Sequence, residues 1–341
     1  MSPREYDESD ARVRPARSTR PRSKDRPSHS SAISALVTGV DRGRQTCVTD
    51  EGVIITAMRA RELGPKSVVV GDRVSIVGDV TGDEGSLARI VSVNERRNSL
   101  SRTVDDAAQV ERTIVANIDQ LVIVAAALNP EPRRGLIDRF LVSAFTEGIT
   151  PKLVVTKTDL GVVPEFLAEY AKLDVEILHT AIKSHSREKD LEALHQMLSG
   201  KISVLVGHSG VGKSTLVNSL APEALRTTGE VNDVTGRGKH TSTSARAIPL
   251  PDDSGWVIDT PGLRSFGLAH VKPQDIIESF PELVAGAIEC PRACTHVNAA
   301  GVAPPDCALD AWVNQGHAGD AGLSRLSSLR RLLVALQTPS S

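Results

Sequence analysis

The chain is poor in aromatic residues, and this limits how it can contact RNA. Of its 341 residues, five are Phe, two are Trp and two are Tyr. None of these lies between Asp7 and Arg139. Base stacking on aromatic platforms is therefore excluded for that region, and any RNA contact there has to use backbone phosphates and shape.

The chain also has a small net charge, no long apolar run and few cysteines. The formal net charge is -2, so the chain has no global basic field, and no DNA partner is expected. No run approaches the roughly 18 apolar residues of a membrane span, and no apolar segment follows the basic N-terminal residues as in a secretory signal. Four cysteines, three of them near one histidine, favour a metal site in a reducing cytosol over disulfides. We therefore expect a cytoplasmic monomer that contacts no membrane.

The chain does contain a glycine-rich motif between an apolar run, 202–206, and a helical pattern, 215–220. Its spacing is G-x-x-x-x-G-K-S, carried by Gly207, His208, Ser209, Gly210, Val211, Gly212, Lys213, Ser214 and Thr215. A strand, a glycine-rich loop and a helix in this order predict a phosphate-binding loop. We expect backbone N–H groups to cradle phosphate oxygens, Lys213 to reach the β- and γ-phosphates, and Ser214 to bind Mg²⁺.

A second motif predicts which base is bound. It ends the apolar run 153–155 and consists of Thr156, Lys157, Thr158 and Asp159. The Asp159 carboxylate can accept two hydrogen bonds, from the ring N–H and the exocyclic amine of guanine, and adenine cannot supply that pair. The motif therefore favours GTP over ATP.

A third motif, from Asp259 to Gly262, closes the apolar run 256–258. Asp259 is expected to hold Mg²⁺ through water, and the N–H of Gly262 is expected to sense the γ-phosphate. Thr180 and Ala181 stand where GTPases place a short motif whose backbone touches the guanine. Three motifs that each end an apolar strand together predict a GTPase.

The order of the motifs differs from that of Ras-like GTPases, where the phosphate loop comes first. Here the guanine motif precedes the phosphate loop, and the Asp259 motif comes last. Joining the original termini and opening the chain elsewhere leaves the sheet intact, because the termini of such domains lie close together at the surface. The segment after residue 262 is thereby attached directly to the loop that senses the γ-phosphate.

These features resemble the circularly permuted RsgA (YjeQ) family of small-ribosomal-subunit biogenesis GTPases. The resemblance is carried by a C-terminal Cys/His cluster and by residues 97–102 (RNSLSR), 116–119 (ANID), 236–241 (GRGKHT) and 263–266 (LRSF). It implies binding to the small ribosomal subunit and its 16S rRNA, assistance in late maturation, and release coupled to GTP hydrolysis. It also implies that Thr241 or the neighbouring Ser242 completes the Mg²⁺ shell.

The predicted fold class is multi-domain. It comprises an N-terminal β-barrel, a central doubly wound α/β P-loop GTPase domain and a C-terminal α-helical zinc-binding domain. The predicted ranges are an Arg/Ser/Pro-rich tail at 1–33, the barrel at 34–103, the GTPase domain at 113–268 and the helical domain at 269–341. The tail is expected to be disordered, and it either binds RNA phosphates or has no role.

Five short strand-like runs predict the small barrel. They are residues 33–40, 46–49, 53–58, 68–77 with a break at Gly71 and Asp72, and 87–93. Sequence alone leaves OB-type and SH3-like barrels open, and the family resemblance favours the OB type. The candidate contacts to RNA phosphates on this barrel are Arg59, Arg61, Lys66, Arg73 and Arg89.

The C-terminal region contains a candidate metal site and two predicted helices, 274–284 and 323–336. The candidate ligands are Cys290, Cys294, His296 and Cys307. Three thiolates and one imidazole form a closed set for one structural zinc ion, and the alternative is a pair of buried thiols with a spare cysteine. The final helix is expected to bury one face, and its arginines are expected to face RNA or solvent. The apolar residues of that face are Leu323, Leu326, Leu329, Leu333 and Leu336, and the arginines are Arg325, Arg330 and Arg331.

Catalysis needs a group that orients the attacking water. Ras-like GTPases use a Gln directly after the glycine of the third motif, but Leu263 stands there and has no polar side-chain atom. We assign this role to His240. The alternatives are that His240 binds rRNA or caps its loop, or that the ribosome supplies the group.

Two other functions of the protein remain open. One is a GTP-gated RNA-binding scaffold with incidental hydrolysis, and the other is a P-loop ATPase, against which Asp159 argues.

Overall fold

The protein is described by a computed structural model that gives the structure of residues 31–337 except 42, 65–66, 106–109, 223–244, 252–253, 261–267, 269–270 and 299. Lys66, almost all of the Arg-rich tail and the predictions for His240, Thr241 and Gly262 lie outside the described residues. Across the described ranges, no helix combines the length and the apolar character needed to cross a membrane.

Five strands at the N-terminal end close into an OB-like barrel, as predicted. They are β1 (Ile33–Asp41), β2 (Arg44–Thr49), β3 (Ile54–Arg59), β4 (Arg73–Gly78) and β5 (Ala88–Val93). β1 pairs with β2 and β4, β2 with β3, and β4 with β5, all antiparallel, and a parallel β3–β5 pair completes the closure. Alternate side chains point inward, so that in β3 Ile55 and Ala57 are buried while Ile54 and Met58 are exposed.

The predicted run 68–77 turns sharply at its expected break, Gly71 and Asp72, and its strand begins at Arg73. Gly71 has φ +91°, and a Cβ at this position would overlap the carbonyl oxygen of Ala116. The next residue, Asp72, is fully buried; its carboxylate accepts the N–H of Val69 at 2.8 Å and pairs with Arg96 Nε at 2.7 Å. This turn places the barrel against the start of the next domain.

A hairpin of β6 (Ser99–Asp105) and β7 (Val110–Ala116) follows the barrel, and the sequence pattern does not predict it. The segments that flank it are joined by asparagine side chains. Asn117 accepts the N–H of Arg97 at 3.0 Å and donates to the carbonyl of Gly71 at 2.9 Å, while Asn98 bonds both backbone groups of Ile118. The family-like segments 97–102 and 116–119 therefore brace the barrel against the central domain.

The central domain is a mainly parallel sheet, as predicted. Its strands are β8 (Gln120–Ala126), β9 (Thr150–Thr156), β10 (Glu176–His179), β11 (Lys201–Val206), β12 (Arg246–Pro249) and β13 (Gly255–Asp259), in the spatial order β10-β9-β8-β11-β13-β12. The first five in this order are parallel, and β12 runs antiparallel to β13. β8 is buried along its whole length, as expected for a strand covered on both faces.

Helices cover this sheet, and β12 connects it to the barrel. The helical elements are α1 (Arg134–Thr146), a 3₁₀ helix (Glu165–Leu173), α2 (Arg187–Leu198) and α3 (Lys213–Leu220). β12 also pairs antiparallel with β1 of the barrel, at Gly39 and Arg246. The strands of the barrel and of the central sheet are therefore connected by hydrogen bonding between β1 and β12.

The C-terminal region consists of α4 (Pro273–Ile277), α5 (Pro281–Ile288), α6 (Ala308–Asn314) and α7 (Gly322–Gln337). The prediction of one helix over 274–284 is wrong, because two short helices occupy this stretch. Pro281 has no N–H to donate to the preceding turn, but it is well tolerated as the first residue of α5.

The final helix forms, but two expectations about it are wrong: the burial of Leu323 and the exposure of its arginines. Leu323 is 69% exposed, whereas Leu326, Leu329 and Leu333 are buried against the central domain. The prediction that the arginines of α7 face RNA or solvent is wrong as well. Each is mostly buried and ion-paired: Arg325 with Glu282 at 2.5 Å, Arg330 with Asp310 at 2.5 Å, and Arg331 with Asp138 at 3.1 Å.

The Arg331 pair shows why these guanidinium groups turn inward. Asp138 lies on α1 and is 2% exposed, and burial raises the pKa of its carboxyl while Arg331 opposes that shift. Arg331 also lies over the Tyr170 ring, at 5.1 Å from the centroid, and Tyr170 donates to Asp138 at 3.0 Å. A buried carboxylate needs a cationic partner, so Arg331 anchors α7 to the central domain.

Candidate functional site

The glycine-rich loop lies between β11 and α3, as predicted. Gly207, Gly210 and Gly212 have φ values of 145°, 82° and 106°. A Cβ at Gly207 would overlap the carbonyl oxygen of Val124 on the neighbouring strand β8. The loop can therefore follow this path only with glycine at 207, and α3 starts directly after it at Lys213.

Lys213 folds back over the loop. Its ammonium donates to the carbonyls of Gly207 at 2.6 Å and His208 at 3.0 Å. Burial lowers the pKa of Lys213, and the nearby Asp259 carboxylate opposes this shift. Burial raises the pKa of Asp259, and Lys213 opposes that shift in turn. Lys213, at the start of α3, and Asp259, at the end of β13, are therefore close enough to interact electrostatically.

The predicted guanine motif, at the end of β9, is hydrogen-bonded to the phosphate loop. The hydroxyl of Thr156 donates to the carbonyl of Val211 at 2.5 Å. Lys157 adopts φ 58°, and its ammonium donates to the carbonyl of Gly210 at 2.8 Å and to that of Asn129. Two motifs more than fifty positions apart in the chain are thus locked together.

A cavity of about 390 Å³ opens where these motifs meet. It is lined by Thr156, Lys157, Asp159, Leu160, Ile182, Lys183, Gly210, Gly212, Thr215 and Leu216. Asp159 is exposed in this wall and has its carboxylate available to a ligand. Leu160, Ile182 and Lys183 were not among the predicted site residues, although Leu160 directly follows the guanine motif and Ile182 and Lys183 are the next two residues after Thr180 and Ala181.

Several other predicted residues in the described part of the chain lie in the same loops or at the same strand ends. Thr180 and Ala181 are buried behind its wall, and Thr180 accepts the N–H of Thr158 at 3.3 Å. Ser209 and Ser214 are exposed, and the imidazole Nδ1 of His208 lies 2.8 Å from the carbonyl oxygen of Ser209. The phosphate loop, the guanine motif and Asp259 therefore converge at the carboxyl ends of β9, β11 and β13.

The four candidate metal ligands also come together. The ligand atoms of Cys290, Cys294, His296 and Cys307 all lie within 4.8 Å of one another. The three Sγ atoms lie 3.5, 3.8 and 3.8 Å from Nδ1 of His296. The cluster joins the end of α5 to the start of α6, and three sulfurs with one imidazole nitrogen are compatible with tetrahedral zinc.

Polar groups surround the cluster and suit it to thiolate ligands. Cys290 Sγ accepts the N–H of Ala308 at 3.2 Å, and Arg330 approaches Cys307 Sγ at 3.7 Å. Burial raises the pKa of Cys290 to about 11, and the hydrogen bond from the N–H of Ala308 opposes that shift by favouring the thiolate. Burial, with the Arg330 charge, lowers the pKa of His296 and favours the neutral imidazole that a metal binds.

A parallel sheet with a phosphate loop after β11, a guanine-type motif after β9 and an aspartate after β13 defines a circularly permuted P-loop GTPase. The family model described as RsgA GTPase matches residues 93–269. The chain belongs to the RsgA GTPase family.

Curated relatives match over most of the chain. A protein of Vibrio vulnificus named small ribosomal subunit biogenesis GTPase RsgA 1 is 36% identical over 280 residues, covering 80% of this chain and 75% of that protein. A protein of Chlorobaculum tepidum named small ribosomal subunit biogenesis GTPase RsgA is 35% identical over 298 residues, covering 83% of this chain and 93% of that protein.

Solved structures agree with the fold. YjeQ from Thermotoga maritima is 26% identical with a TM-score of 0.62, covering 91% of this chain and all of that chain (100%). YloQ, described as a circularly permuted GTPase, has a TM-score of 0.59 at 21% identity, covering 93% of this chain and 100% of that chain. The likeness to YloQ concerns the fold alone.

Gly207→Ala tests the geometry of the phosphate loop. We expect the variant to lose GTP binding and to unfold at a lower temperature, because its Cβ would displace the loop from Val124. The matched control is Gly135→Ala in α1, where a Cβ meets no atom within 4 Å. Binding of a fluorescent GTP analogue and a thermal melt measure both effects, and wild-type binding by Gly207→Ala would contradict the described path of the loop.

Proposed function

We propose that this GTPase assists the late maturation of the small ribosomal subunit and is released when it hydrolyses GTP. The observation that supports the GTPase activity in this proposal most directly is the cavity shared by the guanine motif and the phosphate loop. The names of the Vibrio and Chlorobaculum relatives point to the small ribosomal subunit as the partner. We propose that the protein binds the 16S rRNA of this subunit. We further propose that it acts as a monomer in the cytoplasm.

The residues of the predicted site have different roles in binding and hydrolysing GTP. Asp159 accepts hydrogen bonds from the guanine, and Lys213 with the loop N–H groups binds the phosphates, where charge accumulates in the transition state. Ser214, Asp259 and a hydroxyl of Thr241 or Ser242 would hold Mg²⁺, which supplies further charge neutralisation. The N–H of Gly262 reports the γ-phosphate, and His240 orients the attacking water because Leu263 cannot.

The three regions have separate tasks in this proposal. The barrel (34–103) contacts rRNA, the central domain (113–268) binds and hydrolyses GTP, and the helical region (269–341) is held by zinc. Four protein ligands leave no open coordination position, so a zinc ion bound by the cluster is structural. Its role is to join α5 to α6. Arg330 of α7, which forms an ion pair with Asp310, also approaches the Cys307 ligand.

One exposed face of the barrel suits contact with RNA phosphates. Arg44, Met58 and Arg89 lie side by side across β2, β3 and β5, since Met58 pairs with Arg44 on one side and Arg89 on the other. All three are exposed, and among the described residues no carboxylate forms an ion pair with either arginine. Arg73, by contrast, is paired with Asp50 at 2.5 Å, which makes it a weaker candidate.

GTP turnover by the purified protein tests the proposed function. We expect small ribosomal subunits to raise the turnover rate by at least about tenfold, because the chain lacks the usual water-orienting Gln. ATP in place of GTP is the control and should give no turnover. Tight GTP binding without stimulation by the subunit would support the scaffold function instead, and equal turnover of ATP would contradict the role of Asp159.

His240→Ala tests the assignment of the water-orienting group. We expect subunit-stimulated turnover to fall by roughly 10²-fold, the usual contribution of a positioned acid–base group, while GTP affinity stays unchanged. The matched control is His317→Ala, an exposed histidine of the helical region that should leave turnover intact. Unchanged stimulated turnover with intact GTP binding would remove His240 from the mechanism.

Cys307→Ser tests the zinc assignment. We expect zinc content, measured by elemental mass spectrometry, to fall well below one ion per chain and the helical region to melt earlier, because one of four ligands is lost. Cys47→Ser is the matched control: Cys47 is buried in the barrel, and burial raises the pKa of its thiol to about 12. One zinc per Cys307→Ser chain would exclude Cys307 as a ligand.

A further inference from the structure

The β6–β7 hairpin carries two arginines directly opposite each other. In its antiparallel register Arg102 pairs with Arg112, and both residues are exposed. Directly opposite residues of neighbouring strands have their Cβ atoms about 5 Å apart, so like charges in this position repel each other and destabilise the sheet. An arginine pair placed in this way therefore calls for a partner of opposite charge.

The rest of the described chain does not supply that partner. Across these residues, neither Arg102 nor Arg112 forms an ion pair or a side-chain hydrogen bond. The two arginines before the hairpin differ, since Arg96 and Arg97 are each paired with an aspartate, at 2.7 and 2.9 Å. Arg96 and Arg97 belong to the contacts that hold the barrel and the central domain together, whereas the hairpin arginines make none of these contacts.

The base of the hairpin is fixed, so the arginine pair has a defined position. At the base, Leu100 pairs with Val115, and both side chains are buried. Val115 also forms a β-bridge with Val70, in the turn before β4. Alternate residues of a strand lie on the same side, so Arg102 follows Leu100 on one side of β6. The ribbon thus leaves the buried core between Leu100 and Arg102, and it presents both arginines to solvent.

A phosphodiester group suits this pair. Guanidinium groups bind phosphate oxygens through two parallel N–H donors, and two guanidinium groups can hold one phosphate between them. The hairpin lies in the long stretch without Phe, Tyr or Trp, so it offers no platform on which a base could stack. A ribbon that binds phosphate without reading bases fits the backbone of structured RNA.

We propose that Arg102 and Arg112 together hold one backbone phosphate of the rRNA when the protein binds the small ribosomal subunit. This phosphate clamp, formed by Arg102 and Arg112, lies on the segment that joins the barrel to the GTPase domain. It adds a second RNA contact to the exposed face of the barrel. The bound phosphate also offsets the repulsion between the two guanidinium groups. The inference rests on the proposed binding of the small subunit.

A double variant, Arg102→Gln with Arg112→Gln, tests the clamp through the salt dependence of binding. Its affinity for small subunits is measured with a non-hydrolysable GTP analogue present. We expect Kd to rise by about tenfold or more, the scale of a lost charge-assisted contact. We also expect the slope of log Kd against log salt concentration to fall by roughly 0.7–0.9, the contribution of one phosphate. Each single variant should show a smaller change, because one arginine still contacts the phosphate.

The control is Arg187→Gln, which removes an exposed positive charge on α2 and should leave both the affinity and the slope unchanged. A fall in slope twice as large in the double variant would show that the arginines bind separate phosphates, and it would overturn the shared clamp. Unchanged affinity in the double variant would overturn the proposal altogether.

Arg102→Glu separates binding from folding. It converts a repulsive cross-strand pair into an attractive one, so the free protein should melt no earlier than wild type. Its affinity for the subunit should nevertheless fall further than that of Arg102→Gln, because a carboxylate repels the phosphate. A loss of stability that accompanies the loss of affinity would overturn the proposal. Wild-type protein that fails to bind the small subunit would contradict the proposed function itself, and this is seen before any variant is compared.

Discussion

The nucleotide cavity is held by the hydrogen bonds between the guanine motif and the phosphate loop, above all the one from the Thr156 hydroxyl to the carbonyl of Val211. It joins the loop after β9 to the loop after β11, with β8 between the two strands in the sheet. Parallel strands bring their carboxyl ends to the same edge, so these loops meet wherever the chain begins and ends. Circular permutation therefore changes the order of the motifs and leaves their geometry intact.

The regions on either side of the central domain are joined to it by buried contacts. The barrel shares a sheet edge with β12, through Gly39 and Arg246, and β12 directly follows the polar stretch 223–244. The helical region is anchored by Arg331 to the buried Asp138 of α1, and its apolar face shares a core with the central domain. Both neighbours thus contact elements of the central domain.

Local patterns in the sequence predict much of this fold, and non-local contacts account for the rest. The phosphate loop, the guanine motif, the five barrel strands and the Cys/His cluster follow from spacing within a few residues of one another. The inward turn of Arg331 could not be predicted, because it depends on a carboxylate nearly two hundred positions away. Ile182 and Lys183 could not be predicted as cavity residues, because the path of the loop that carries them depends on the hydrogen bond from the N–H of Ala181 to Asp190 on α2.

The measurement that tests this account most directly is the base preference of Asp159→Asn. Xanthine carries a carbonyl where guanine has its exocyclic amine, so an Asn amide can donate to it, whereas a carboxylate is repelled. We expect wild-type protein to hydrolyse GTP and not xanthosine triphosphate, and we expect Asp159→Asn to reverse this preference. A variant that still prefers GTP would show that Asp159 does not read the base, and would contradict the assignment of the cavity.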